Sequence, residues 1–226
     1  MKKVLILSFL INFCFLFSQS KSFIYQLKFK PNSTKDSIAK EIFILDVKEG
    51  RSVFRTLKEK TADSTSQVSN KISFFTTSFK DFKSVSKDLK TKEIKKFITN
   101  FQKLFTIKIE DELIWEIANE TKEIAGMKTQ KATTNYGGRN WIAWFTNEIP
   151  LQEGPYIFHG LPGLITEISD VQNNFSFSLV QIRNSDGKLY EKENSLAISW
   201  KQYQKLAKDY YADPTREITR KNSGSP

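Results

Sequence analysis

From Ser22 to Lys30 the chain alternates, with Phe23, Tyr25, Leu27 and Phe29 on one side and Gln26, Lys28 and Lys30 largely on the other. A period of two sends successive side chains to opposite faces, so this segment predicts a half-buried antiparallel strand. After a polar turn over Pro31 to Ser37, Ile38 to Val47 predicts a second strand that ends at Glu49-Gly50. The Ser/Thr/Asp-rich stretch from Thr61 to Asn70 predicts an exposed loop, and Ile72 to Phe79 resumes strand character. Between Thr91 and Phe105 the period changes. Ile94, Phe97, Ile98, Phe101, Leu104 and Phe105 fall at helical spacing, while Lys92, Lys95, Lys96 and Lys103 fall elsewhere. An amphipathic helix is the direct expectation, and the β-branched Ile98 and Thr99 leave a pair of strands as the alternative. Strand-like alternation returns over Thr106 to Ile117.

The second half is richer in turn signals. Lys131 to Tyr136 and Arg139 to Thr146 flank Gly137-Gly138, a pair suited to the positive φ angles of a tight hairpin. Leu164 to Ser169 and Asn174 to Ile182 predict another strand pair joined around Asp170 to Asn173. Asp186-Gly187 marks a further turn, with Lys188 to Glu193 following. From Ser199 to Tyr211, Trp200, Tyr203, Leu206, Ala207 and Tyr210 form one helical stripe. Ser199 with Gln202 makes a capping box and Asp213-Pro214 a stop. Many closely spaced strands with one or two helices predict a mainly β (α+β) fold: a curved antiparallel sheet, half-barrel-like, with helix packed against it. No repeat or linker divides it, so residues 21–216 are expected to form a single domain, with 217–226 as a flexible tail.

The first twenty residues have another use. Lys2 and Lys3 precede an apolar run from Val4 to Phe17 and then Ser18-Gln19-Ser20, the pattern of a secretory signal peptide cleaved after Ser18 or Ser20. The run is shorter than the roughly 20 residues of a spanning helix, and no later segment approaches that length, so a soluble exported protein without a transmembrane segment is expected, in the periplasm or at the outer surface. Cys14 is the single cysteine and lies in this leader; Asn12 and the bulky Phe13 before it do not suit a lipidation signal. With one histidine, His159, and no other thiol, disulfides, thiol nucleophiles and clustered His/Cys metal sites are ruled out, and only oxygen ligands remain. No cofactor or metal is expected. The formal charge is +10, two units of which belong to Lys2 and Lys3. Scattered lysines on an exported chain argue against nucleic acid and for anionic lipid headgroups or an acidic protein.

The stretch Gly154 to Asp170, GPYIFHGLPGLITEISD, concentrates the remaining signals. Leu161-Pro162-Gly163-Leu164 has the residues of a type II turn, with Gly163 expected at positive φ. Gly154-Pro155 bends the chain earlier, so Tyr156 to His159 is pinned between two corners. Trp141, Trp144, Tyr156 and Phe158 are then expected near one another, as a rigid plug in the core or as one wall of an apolar groove.

Gly160-Leu161-Pro162-Gly163-Leu164-Ile165 also resembles the motif of the GLPGLI family of gram-negative envelope proteins. Trp115-Glu116-Ile117, Gly126, Lys131-Ala132, Gly138-Arg139, Trp141, Ala143-Trp144, Glu148-Ile149-Pro150, Gly154-Pro155 and Phe158 extend the resemblance from about residue 115 to 182. A tyrosine often follows the first of these glycines in that family and a cysteine shortly after; this chain has Met127, Lys128 and Thr129. The resemblance implies export to the envelope and carries no established activity.

Three functional readings follow. In the first, the chain is a non-catalytic docking or accessory module whose surface is Arg139, Trp141, Trp144, Glu148, Tyr156, Phe158 and His159, since Arg, Trp and Tyr are the residues of interface anchors; the partner is another envelope protein. A purely structural role for the same residues makes Arg139 and Glu148 an ordinary surface pair. In the second, the chain carries or senses an apolar, lipid-like ligand on a concave face lined by Phe and Leu. The third, a hydrolase, demands a cleft holding at least two of Glu148, Glu167, Asp170 and His159 near one substrate atom. Glu110-Asp111-Glu112 reads as a solvated turn, and no phosphate loop, Gly-x-Ser-x-Gly elbow or two-histidine zinc helix is present. Asp36-Ser37-Ile38 and Asp63-Ser64-Thr65 resemble bacterial O-glycosylation acceptors in loops.

Overall fold

The computed structural model describes residues 20–31, 37–69, 84–100 and 103–212. Its strands are β1 (Lys21–Phe29), β2 (Ala39–Lys48), β3 (Arg51–Thr56), β4 (Val85–Asp88), β5 (Glu93–Asn100), β6 (Lys103–Ile109), β7 (Glu116–Ile124), β8 (Met127–Tyr136), β9 (Arg139–Thr146), β10 (Leu164–Asp170), β11 (Phe175–Asn184) and β12 (Leu196–Ala197). They form one sheet in the order β12-β6-β5-β4-β3-β2-β1-β11-β10-β9-β8-β7. Every pairing is antiparallel except the short parallel contact of β12 with β6. The sheet is curved without closing, and among the described residues two helices accompany it: α1 (Leu57–Ser69) and α2 (Trp200–Ala212).

Alternation assigns the two faces. Phe23, Tyr25, Leu27 and Phe29 of β1 all turn to the inner face, together with Phe43 and Leu45 of β2, Phe54 of β3 and Phe177 of β11. Phe43 and Phe54 stack with centroids 4.9 Å apart, and Phe177 meets both edge-on at 6.2 and 5.9 Å. Such offset and edge contacts add to the burial of large rings. The outer face of β1 to β3 is not left to solvent. Asp46 and Arg55 are fully buried there, beneath α1 and the strap formed by residues 185–192. Arg55 donates to Asp63 on α1 at 3.0 Å and to the carbonyls of Leu189 and Tyr190 on the strap. The same Nη2 that donates to Leu189 O lies 3.5 Å from Asp46, which also takes Ser22 Oγ and Lys60 Nζ.

Several expectations need correction. The stretch 61–70 is not a loop through Ser69 but the body of α1. Its start is fixed by a capping box: Thr56 Oγ1 accepts from the Glu59 amide at 3.1 Å and Glu59 Oε2 accepts from the Thr56 amide at 3.1 Å. Asp63-Ser64-Thr65 therefore sits in a helix. Over Thr91 to Phe105 the strand alternative is observed, not the helix: β5 and β6 form a hairpin pairing Ile94 with Ile109 and Ile98 with Phe105. Phe97 and Ile98 are both buried. A strand covered on both faces needs adjacent apolar residues, which imitates helical spacing. Strand structure over Thr106 to Ile117 stops at Ile109 and resumes only at Glu116.

The hairpin at Gly137-Gly138 has both glycines at positive φ, 60° and 72°. The strands over 164–169 and 174–182 and the last helix are as expected, including reciprocal bonds between Ser199 and Gln202. The leader, the strand expected at 72–79, Asp36, the Asp213-Pro214 stop and the tail lie outside the described residues. Among those described, no helix is long and apolar enough to cross a membrane.

Candidate functional site

After Thr146 the chain leaves β9, crosses the inner face and rejoins the sheet at Leu164. Its amides are tied back along this path: Leu164 N–H to Ile149 O at 3.0 Å, Ile165 N–H to Glu153 O at 2.9 Å and Gly160 N–H to Gln152 O at 3.0 Å. Phe158 N–H closes a turn on Pro155 O, with Tyr156 at φ 55°. The turn at Leu161 to Leu164 is not type II. Gly163 N–H bonds to Leu161 O at 2.7 Å, a three-residue turn centred on Pro162, and Gly160 takes the positive φ, 91°. Gly163 is required for space: a Cβ there would lie 2.1 Å from Thr146 O. At Gly154 a Cβ would meet Ile165 at 2.7 Å.

The segment is a plug. Tyr156, Ile157, Phe158 and Leu161 are buried with Leu164 and Ile165 in the main core. Phe158, wholly excluded from solvent, lies 4.8 Å from Trp141, 6.1 Å from Tyr136 and 6.3 Å from Tyr156 between ring centroids. Polar ends are satisfied locally: Trp115 Nε1 donates to His159 O at 2.8 Å, Tyr25 Oη to Ile165 O at 2.6 Å and Trp141 Nε1 to Tyr136 O at 3.1 Å.

A buried ion pair fastens the plug to the opposite part of the sheet. Lys87 Nζ lies 2.7 Å from Glu153 Oε2 and donates to Gly154 O at 2.8 Å. Phe158 O stands 3.3 Å away as a further acceptor. Burial pushes the Lys87 ammonium below the usual lysine range, and the Glu153 carboxylate opposes the shift. His159 is half-buried, and its Nδ1 bonds Ile157 O at 2.8 Å, which puts the proton on Nδ1 of the neutral ring. Burial, and then the positive charge of Lys87, holds its pKa below 6.5.

The residues singled out by sequence divide between two faces. Trp141, Tyr156 and Phe158 come together, but inside the molecule. Trp144, three residues from Trp141 on the same strand, points to the outer face, where Lys122 Nζ stands 4.3 Å over its ring and 3.1 Å from Glu167. Arg139 and Glu148 are not a pair: Arg139 binds Asp170 at 2.9 Å and covers Phe175, while Glu148 accepts from the Lys128 amide at 2.8 Å. Glu148, Glu167, Asp170 and His159 thus each have a separate partner. Lys87 and Glu153 were not anticipated, although Lys87 shares a strand face with Val85 and so had to point inward.

Among the described residues one open groove lies on the outside. A groove of about 520 Å³ runs between the segment before β7 and the ends of β8 and β9, lined by Glu112, Ile114, Glu116, Asn135, Ile142 and Val171 among others. Ile114 is 78 % exposed, and Ile117 and Val171 are about half exposed. Among the described residues no group of three His, Cys, Asp or Glu side chains is placed to hold a metal ion.

Residues 57–167 match a family model. Its description is "Protein of unknown function (Porph_ging)", and the matched stretch contains the Gly160 to Ile165 motif. No curated protein matches the chain. Among solved structures it is similar to PNGF-II in a C2 crystal, with a TM-score of 0.59, 18 % identity and coverage of 83 % of this chain and 32 % of that one. The P21 crystal of PNGF-II gives 0.58, 17 %, 83 % and 33 %. The chain spans about a third of PNGF-II, and the likeness at this identity is one of fold alone.

Proposed function

We propose that this is an exported accessory protein of the envelope, of GLPGLI type and without catalytic activity, which docks another envelope protein through its outer rim. The observation that carries the reading is the plug. Residues 147–163 cross the inner face, where a curved sheet would otherwise offer a binding site, and the buried carboxylate they bring there, Glu153, is paired with Lys87 of β4. Of the exposed apolar residues, Ile114 and Val171 line the groove beside β7 and Ile117 lies on that strand. This strand ends the sheet and so keeps unpaired backbone groups on one side.

Charge indicates the kind of partner. Between residues 110 and 123 the chain carries Glu110, Asp111, Glu112, Glu116, Glu120 and Glu123 against Lys122, on a protein that is otherwise strongly basic. Glu120 is neutralised by Lys131 at 2.9 Å, and the others favour a basic extended segment along the β7 edge. A photo-crosslinking residue at Ile114 or Ile117 in the producing cells should give a discrete adduct that Glu112→Lys/Glu116→Lys weakens at least tenfold. The same residue at Lys28 should give none. Equal labelling at all three positions, or none, refutes the docking reading.

The second reading, a carrier of apolar ligands, has less support because Phe158 and its neighbours stand where a lipid chain would lie. Native mass spectrometry of the protein from its own envelope separates the two. A bare chain agrees with docking, whereas extra mass released on denaturation restores the carrier.

A further inference from the structure

The opposite end of the strand order ends in β12 and α2, and this end has a different chemistry. Leu196 of β12 is 54 % exposed and Trp200, which opens α2, is 50 % exposed. Trp200 is held in place: its ring stacks on Tyr203 at 5.6 Å and Lys96 Nζ lies 5.6 Å from its centroid. At about 100° per residue, Trp200, Tyr203, Leu206 and Ala207 span an arc of about 120°, and Lys201, Lys205 and Lys208 share an adjoining arc of about 60°. All three lysines are exposed. An apolar stripe ending in an aromatic belt residue, flanked by lysines that reach past it, is the pattern of a helix that lies in a membrane interface.

We propose that β12 and α2 form a contact site for an anionic bilayer surface, with Leu196 and Trp200 entering the headgroup layer and Lys201, Lys205 and Lys208 facing anionic lipid. The occupant follows from charge: this flank is basic, in contrast to the acidic β7 edge, and tryptophan is suited to a boundary that is apolar on one side and wet on the other. The proposal is independent of the docking reading, because it uses the other end of the sheet. It also gives three of the protein's scattered lysines a common role, since each lysine close to an anionic surface strengthens binding about fivefold.

Sedimentation of the purified protein with vesicles tests it, using phosphatidylcholine alone and phosphatidylcholine with 30 mol % phosphatidylglycerol. Binding is expected only to the second, with a blue shift of tryptophan emission that Trp200→Phe removes. Lys201→Glu/Lys205→Glu/Lys208→Glu should weaken binding more than about thirtyfold. Leu196→Ser/Trp200→Ser should weaken it at least tenfold. The control Lys28→Glu/Lys40→Glu/Lys58→Glu changes net charge equally on exposed positions away from α2 and should retain most binding. Equal losses in the two triple variants would show attraction by net charge alone and overturn the site. Equal binding to both vesicle types, or none to either, would overturn it as well.

Discussion

Lys87 and Glu153 show what a single residue contributes to this fold. Both are buried, both can carry charge, and the pair spans from β4 to the plug. Two charges removed from water recover that cost chiefly through each other, here with the Gly154 and Phe158 carbonyls as further acceptors for Lys87, so deleting one partner costs far more than the pair itself provides. Lys87→Met should therefore destabilise the protein by about 3–5 kcal/mol, and Lys87→Met/Glu153→Leu should recover a large part of that loss in urea unfolding. A single substitution costing less than about 1 kcal/mol would mean that the pair does not hold the plug. His159 faces the same two charges, Lys87 and Glu153, beside the Ile157 carbonyl. Its pKa is depressed in the folded state, so the unfolded chain binds more protons as pH falls below 6.5. Stability from this residue is full above that pH and is lost as pH falls through the folded value. The difference in unfolding free energy between the wild type and His159→Gln should shrink on acidification below pH 6.5. A difference constant over that range would contradict the assignment.

At the level of elements, β9 separates two tryptophans that the sequence reading placed together. A strand turns alternate residues to opposite faces, so Trp141 and Trp144 cannot share a side. Trp141 is buried against Phe158, whereas Trp144 lies on the outer face under Lys122. Trp141→Ala should accordingly cost about 3–5 kcal/mol. Trp144→Ala should leave the melting temperature within a few degrees. Similar losses in thermal unfolding would place both rings in the core. In the second half β9, β10, β11 and the end of β8 were legible because Gly137-Gly138 and the alternation of β10 and β11 are local signals, whereas β7, whose side chains are mostly exposed, and the two-residue β12 were not predicted. The β5/β6 hairpin was ambiguous for a physical reason: covering both faces of β5 erases the alternation that marks a strand. The start of α1 was written as Thr56-x-x-Glu59, but the polar residues that follow obscured it, because what anchors the helix is Asp63 to Arg55 and Lys60 to Asp46, not an apolar stripe. The site was half legible. The motif located the plug, and its Gly163 proved necessary for closeness to Thr146, not for a positive φ.

For the molecule as a whole, the decisive fact is that the sheet curves around its own chain. Tyr156, Ile157, Phe158 and Leu161 are buried side chains, each worth about 1.5–3 kcal/mol on removal from water. Together they contribute roughly 6–12 kcal/mol, about the entire net stability of a domain, roughly 5–15 kcal/mol. The open half-barrel therefore does not stand without its filling. Replacing residues 150–162 by a Gly/Ser linker of equal length should abolish the cooperative unfolding transition. Truncation after Ser199 should not, because among the described residues none of α2 belongs to the main core cluster, and the melting temperature should drop by only a few degrees. If the truncated chain unfolds and the linker variant melts sharply, stability resides at the α2 end and the inner face is available to a ligand. The expected order instead leaves the two ends of the sheet free to vary in chemistry, acidic at β7 and basic at α2, because neither carries the fold.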